Sequence, residues 1–351
     1  MKLIAVDRIK ENDIIAEPIM TSDYMILLNK GTIIKQEYLD KLKELDISEV
    51  YIEDSPASEE SKELDILKSC KQHVESILKQ HLFFKKEKLS ELKSSVDEIL
   101  DYILNRPQVV STLCELQERK PDIYEHTLNV CSMSMIIAIK LGLEKEEIRE
   151  LGTAAMLHDL GLRYMTIHYE NRELTDLSEN DREEYKKHTV YGYSAVSNAD
   201  WLTEKEKKMI LSHHENLSGK GYPLREENLT VPAQILAACE IMDEMLCGIG
   251  YKKKKIWEVI SYLEEIKGND YNGEIIDMIC HSIAFYPTGT KLALDDGSVG
   301  IVVKQNEKNA KMPVIQIIEK GSRLQHVFNE AVTLINLEKE KAFHIVSVLE
   351  H

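Results

Sequence analysis

The 351-residue chain has no run of about 18 apolar residues, so no transmembrane helix is expected. Nor is a secretory leader expected. Asp7 and Glu11 interrupt the N-terminal MKLIAVDRIKENDII before any long apolar stretch, and a cytoplasmic location is the expectation. None of the six cysteines (Cys70, Cys114, Cys131, Cys239, Cys247 and Cys280) forms a C-x-x-C pair. They read as reduced core thiols rather than a disulfide or zinc framework. Basic residues are in deficit, with 44 Lys and Arg against 61 Asp and Glu and a net charge of −17. That argues against duplex nucleic acid as a partner, because nothing neutralises the phosphates. An anionic small molecule stays open if bound metal ions supply local positive charge. There is no internal repeat and no low-complexity segment.

The length predicts two or three domains, and the pattern predicts a multidomain, mostly α protein. Residues 1–54 read as a small α/β domain of short strands with one helix, QEYLDKLKELDI. The polar DSPASEE that follows reads as a linker, so 55–105 become a linker and helical connector. Its apolar residues fall at helical spacing: Leu64, Leu67, Val74, Ile77 and Leu78, then Leu89, Leu92, Val96, Ile99, Tyr102 and Ile103. Two readings are open, helices packed on the next domain or a connector that makes a homodimer through residues 61–105; the homodimer is the expectation. Residues 106–285 are helical by pattern, with helices near 107–118, 122–140, 146–157, 181–198, 204–214, 232–247, 252–267 and 272–284. Long loops at 159–180 and 215–231 are of the kind that often carries function. Residues 286–351 turn to β, with an Asp-Gly turn inside KLALDDGSVGIVVKQ.

Seven of the twelve histidines, His73, His81, His168, His281, His326, His344 and His351, lack a partner at ligand spacing. The other five are His126, His158 beside Asp159, His188, and the pair His213-His214. Imidazole with carboxylate suits iron, manganese or zinc. Asp122 and His126, four apart in PDIYEHTLNV, are expected on one helix face. His158-Asp159 ends the apolar helix GTAAMLHDLG, where both would be costly to bury without a metal or hydrogen-bond partner.

The order H…HD…H…HH, followed by HHENLSGKGYP, resembles the HD-GYP family of the HD phosphohydrolase superfamily over about residues 106–285. VDRIKENDIIAEPI…LLNKGTII and YPTGTKLALDDGSVGIVVKQNEKN resemble domains that often flank it. The resemblance implies an all-helical core and two or three divalent ions, iron or manganese first and zinc as the alternative. It implies His126, His158, Asp159, His188, His213, His214 and Glu240 as ligands, with Asp159 bridging and Asp122 helping to hold a third ion. It places Gly221, Tyr222 and Pro223 beside the substrate, with Asn216 and Gly219 as further substrate-binding candidates. The implied activity is phosphodiesterase: hydrolysis of a cyclic dinucleotide, chiefly cyclic di-GMP, to linear pGpG or GMP. The chemistry is coherent, since a metal-activated hydroxide can attack an unreactive phosphodiester while a second ion holds its oxygens. Gly219 and Gly221 are expected to let backbone approach the substrate.

The substrate side departs from the family pattern. Leu162 stands in HDLGL where a phosphate-contacting lysine is expected, which makes Arg163, or Arg172 in the shortened loop, the candidate replacement. Asn216 and Ser218 alter the loop after HHE, and Glu240 replaces an aspartate. The expectation is an active phosphodiesterase, weakened by Leu162, with Asp159 and Arg163 as its catalytic candidates. The alternatives are a degenerate nucleotide-binding module and an HD hydrolase of nucleotide mono- or triphosphates.

Overall fold

A computed structural model describes residues 86–105, 116, 119–306, 309–321 and 334–349, with a broken set of positions within 2–52. Contacts divide the chain into two units, Met1–Cys70 and Lys71–His351. In the first, strand β1 (Lys2–Ala5) pairs antiparallel with β4 (Glu49–Ile52), and β2 (Ile19–Met20) with β3 (Ile26–Leu28). Ile15, Ile19, Ile34, Leu42, Val50 and Ile52 form a small core there.

The second unit is built on helices α1 (Leu92–Leu104), α2 (Ile123–Lys140) and α3 (Lys145–Leu157). They are followed by α4 (Glu179–Lys186), α5 (His188–Val196), α6 (Glu204–Ser212), α7 (Val231–Cys247), α8 (Ile256–Ile266) and α9 (Gly273–Ser282). Local chemistry sets several starts. Asp122 caps α2 by accepting the backbone N–H groups of Tyr124 and Glu125 at 3.0 and 3.2 Å. Capping boxes open α3 (Glu144/Glu147) and α6 (Thr203/Glu206). Gly248 ends α7 with φ at 78°, a left-handed conformation that suits glycine.

In α7 all residues from Ile235 to Cys247 are buried, so this helix forms the centre of the bundle. The helix expected over 181–198 is two helices meeting at Lys187, which ends α4 and precedes α5. The helix expected at 107–118 falls almost wholly outside the described residues.

The apolar stripe of α1 is consumed within the chain. Leu92, Val96, Ile99, Leu100 and Ile103 are buried, and Val96 Cγ1 lies 2.8 Å from where a side chain on Gly152 of α3 would begin. Each such burial contributes about 1.5–3 kcal/mol to the fold. This is the packed-helix reading, and it leaves that stripe unavailable for the expected dimer contact. The first connector helix, 61–85, lies outside the described residues.

After α9 a five-stranded antiparallel sheet follows, in the order β8 (Leu334–Asn336), β7 (Val314–Glu319), β6 (Val299–Lys304), β5 (Lys291–Leu294) and β9 (Ile345–Leu349). Leu292, Leu294, Val302, Ile315 and Ile335 make its core. The Asp296-Gly297 turn joins β5 to β6, with Leu294 N–H donating to Ser298 O at 2.9 Å. Among the described residues no helix is long and apolar enough to cross a membrane.

Candidate metal centre

Three histidines are aimed by the same device. His158, His188 and His213 each follow the last turn of a helix, where backbone carbonyls lack partners. Each donates its Nδ1–H to the carbonyl three residues back: His158 to Ala155 at 2.6 Å, His188 to Tyr185 at 2.7 Å and His213 to Ile210 at 2.8 Å. The break at Lys187 is what gives His188 this position. His126 instead meets the Asp243 carboxylate through Nδ1 at 2.7 Å, and Asp243 is paired with Arg119. A carboxylate behind an imidazole orients the ring and raises its basicity toward a metal. With Nδ1 occupied, every Nε2 points inward.

These nitrogens converge on Asp159, in the 3₁₀ segment His158–Tyr164 that follows α3. Oδ2 lies 3.4 Å from His126 Nε2 and 3.5 Å from His158 Nε2. Oδ1 lies 3.5 Å from His188 Nε2 and 3.7 Å from His213 Nε2. Both oxygens are buried without a hydrogen-bond partner among the described residues. Oxygen and nitrogen atoms at these separations suit ligands sharing an ion with bonds of about 2.0–2.2 Å. Two groups result, one of His126, His158, Asp159 and Glu240, the other of Asp159, His188, His213 and His214. Glu240 reaches the first through Oε1, 3.2 Å from His126 Nε2, and Oε2, 2.8 Å from His158 Nε2. The donor set, buried and imidazole-carboxylate in both halves, fits divalent metal ions.

The halves differ electrostatically. Burial opposes a charge on His158, but Glu240 and Asp159 outweigh it and carry its pKa up to about 10. His126 is held well above its ordinary value against the same penalty, chiefly by Glu240. Burial lowers His188 to about 4, and burial with the neighbouring His213 and His188 keeps His214 well down. A metal needs neutral imidazole, so filling the first group at pH 7 should displace about two protons, from His126 and His158. Metal added to weakly buffered apoprotein should therefore acidify the solution, read with an indicator dye. No proton release at pH 7 contradicts this assignment of charge. In the metal-free protein the His158 charge stabilises the fold fully below its ordinary value of 6.5, and that contribution is lost as pH rises towards about 10.

The remaining sequence candidates are placed differently. Asp122 is in neither group; its backbone is extended and its carboxylate caps α2, so the shared helix face expected for Asp122 and His126 does not form. Gly221 is required by packing: a side chain there would begin 2.5 Å from His214 O and from Glu215 Cα. Its bareness thus seats the loop against the ligand-bearing segment. Gly219 is left-handed, with φ at 66°. Asn216 Oδ1 accepts from Ser218 Oγ and Lys220 N at 3.0 and 3.1 Å and closes the loop on itself. Tyr222 stacks on His214 with centroids 4.6 Å apart, and Pro223 follows it through a cis peptide bond. Leu162 is buried among Tyr185, Cys247 and Ile249. Arg163 lies over the Tyr124 ring at 5.8 Å, with Nε and Nη1 buried and without hydrogen bonds, whereas Arg172 is exposed.

Of the histidines set aside, His168, His281 and His344 are exposed and belong to neither group. The other four lie outside the described residues. Cys131, Cys239 and Cys247 are free and buried, and Cys280 is free and half-buried.

Sequence reasoning passed over Asp243, Glu244 and Glu215. CEIMDEM places acids at 240, 243 and 244 of an otherwise apolar helix, spacings that share one face. Three carboxylates on a buried face are a readable signal of a charged centre. Glu215 accepts the backbone N–H groups of Arg225 and Glu226 at 2.9 and 3.0 Å, and that of Leu224, tying down the loop after Pro223.

A family model described as HD domain matches residues 109–275. The chain is 26% identical over 227 residues to a cyclic di-GMP phosphodiesterase of Pseudomonas aeruginosa, covering 63% of this chain and 54% of that protein. It is 26% identical over 203 residues to the cyclic di-GMP phosphodiesterase PdeB of Borreliella burgdorferi, covering 57% and 53%. The chain thus spans about half the length of these curated relatives. Among solved structures, an HDG"Y"P protein from Bdellovibrio bacteriovorus shares the fold, with a TM-score of 0.55 and 19% identity over 80% of this chain and 98% of that one.

Proposed function

The chain belongs to the HD-GYP family, and from that premise we propose that it is a metal-dependent phosphodiesterase of cyclic dinucleotides, with cyclic di-GMP first among them. The observation that carries the reading is Asp159, whose two unpartnered oxygens each face a pair of imidazole nitrogens. His126, His158 and Glu240 would hold one ion and His188 and His213, with His214 beside them, a second, the Asp159 carboxylate facing both. The names of the relatives support the substrate class. Divalent ions supply Lewis acidity to water and to phosphate when bound.

The residues do the rest. Asp243 and the carbonyls of Ala155, Tyr185 and Ile210 fix the imidazoles, so little reorganisation is left to the moment of reaction. Tyr222 stacks on His214 and presents the loop beside the centre, which Glu215 anchors at its far end. Arg163, on the same 3₁₀ segment as Asp159, supplies the cation that Leu162 cannot. Iron or manganese is the expected metal, with linear pGpG or GMP as product.

The test is chromatography of cyclic di-GMP after incubation with protein loaded with iron or manganese, with and without chelator. Chelator-sensitive formation of pGpG or GMP is expected. Tight binding with no product overturns the reading in favour of a nucleotide-binding module, the alternative that Leu162 favours.

A further inference from the structure

Glu244 is buried on α7, four residues after Glu240 and so on the same helix face. Its Oε1 accepts one hydrogen bond, from Tyr185 Oη at 3.2 Å, and lies 3.8 Å from His214 Nε2. Among the described residues His214 is its one ion-pair partner. His214 Nε2 is itself buried without a hydrogen-bond partner. The ligand atoms of His214, Glu240 and Glu244 lie within 4.8 Å of one another. Two like charges at this spacing repel even on an exposed helix, and burial strengthens the repulsion.

We propose that His214, Glu240 and Glu244 form a third cation site, linked to the first ion through Glu240. The inference rests on the two-metal reading above and extends it. One imidazole nitrogen serves one ion, so His214 goes to the third site, while Asp159, His188 and His213 still give the second ion the three protein ligands usual for a catalytic metal. Two carboxylates and one imidazole make this the most oxygen-rich of the three positions, which selects a hard divalent ion such as manganese or magnesium. A third ion would add positive charge next to Tyr185, which bonds Glu244 and packs against Leu162. It does so without Asp122, whose carboxylate caps α2.

The experiment is equilibrium dialysis of the full chain against manganese, with metal and protein quantified in each compartment. Wild type should approach three ions per chain in two affinity classes, and the weaker class should be missing from Glu244→Gln, which approaches two. Asp122→Asn should keep three. Saturation of wild type at two ions overturns the third site and leaves the two-metal reading standing, and this holds even if the variant does not fold. Three ions in Glu244→Gln overturn the assignment to Glu244. No stoichiometric binding by wild type overturns both readings.

Discussion

Asp159→Ala is expected to remove most of the bound metal and lower turnover of cyclic di-GMP by at least about 10³-fold. The effect is large because this carboxylate faces both groups: Oδ2 sits against His126 and His158, Oδ1 against His188 and His213. Losing several kcal/mol of metal-derived transition-state stabilisation corresponds to that factor, at about 1.36 kcal/mol per tenfold. Asp243→Asn is the informative comparison. Asp243 touches His126 Nδ1 from behind and is outside both groups that contain Asp159, so its loss should weaken metal binding there by about 10–100-fold, the usual cost of an outer partner. Metal analysis joined to steady-state rates separates the two. Asp159→Ala retaining both ions and full activity contradicts the bridging role.

The second large effect concerns Arg163. A cation directed at charge developing on the phosphate is worth about 10²–10³ in rate. Arg163→Ala should therefore lower kcat by about 10²-fold or more while metal content stays unchanged. Arg172→Ala should be close to wild type, since Arg172 is exposed on the loop. Restoring the family lysine should not help. Leu162 packs with Tyr185, Cys247 and Ile249, and Leu162→Lys buries an ammonium there at a cost of more than about 2 kcal/mol. Denaturant unfolding and rates measured on metal-loaded variants test both statements. An Arg163→Ala enzyme as fast as wild type removes the compensation argument, and a stable, faster Leu162→Lys enzyme removes the packing argument.

Much of the centre was legible because its chemistry is written in neighbouring letters. His158-Asp159 and His213-His214 lie where helices end, and the pattern of apolar residues locates those ends. What sequence could not give is which way a side chain turns. Asp122 and His126 have the spacing of one helix face, yet Asp122 is the residue before the helix and spends its carboxylate on the backbone. Gly221 was expected to give a substrate room, and the sequence did not show that packing also requires it, to seat the loop on His214 and Glu215. The stripe on α1 had two satisfactory partners by pattern alone, this chain or a second copy, and only packing assigns it to α3. The junction at Lys187 has no proline or glycine to announce it. Glu244 was visible in CEIMDEM, but its proximity to His214 depends on how α7 meets the segment after α6, a tertiary fact.

Anomalous diffraction at the metal edge from crystals of the metal-loaded protein is the most direct test of the centre. The arrangement predicts one peak among His126, His158, Asp159 and Glu240, and a second on the other side of the Asp159 carboxylate, beside His188 and His213. Fully loaded crystals with no peak at Asp159, or with metal bound only elsewhere on the chain, would contradict it.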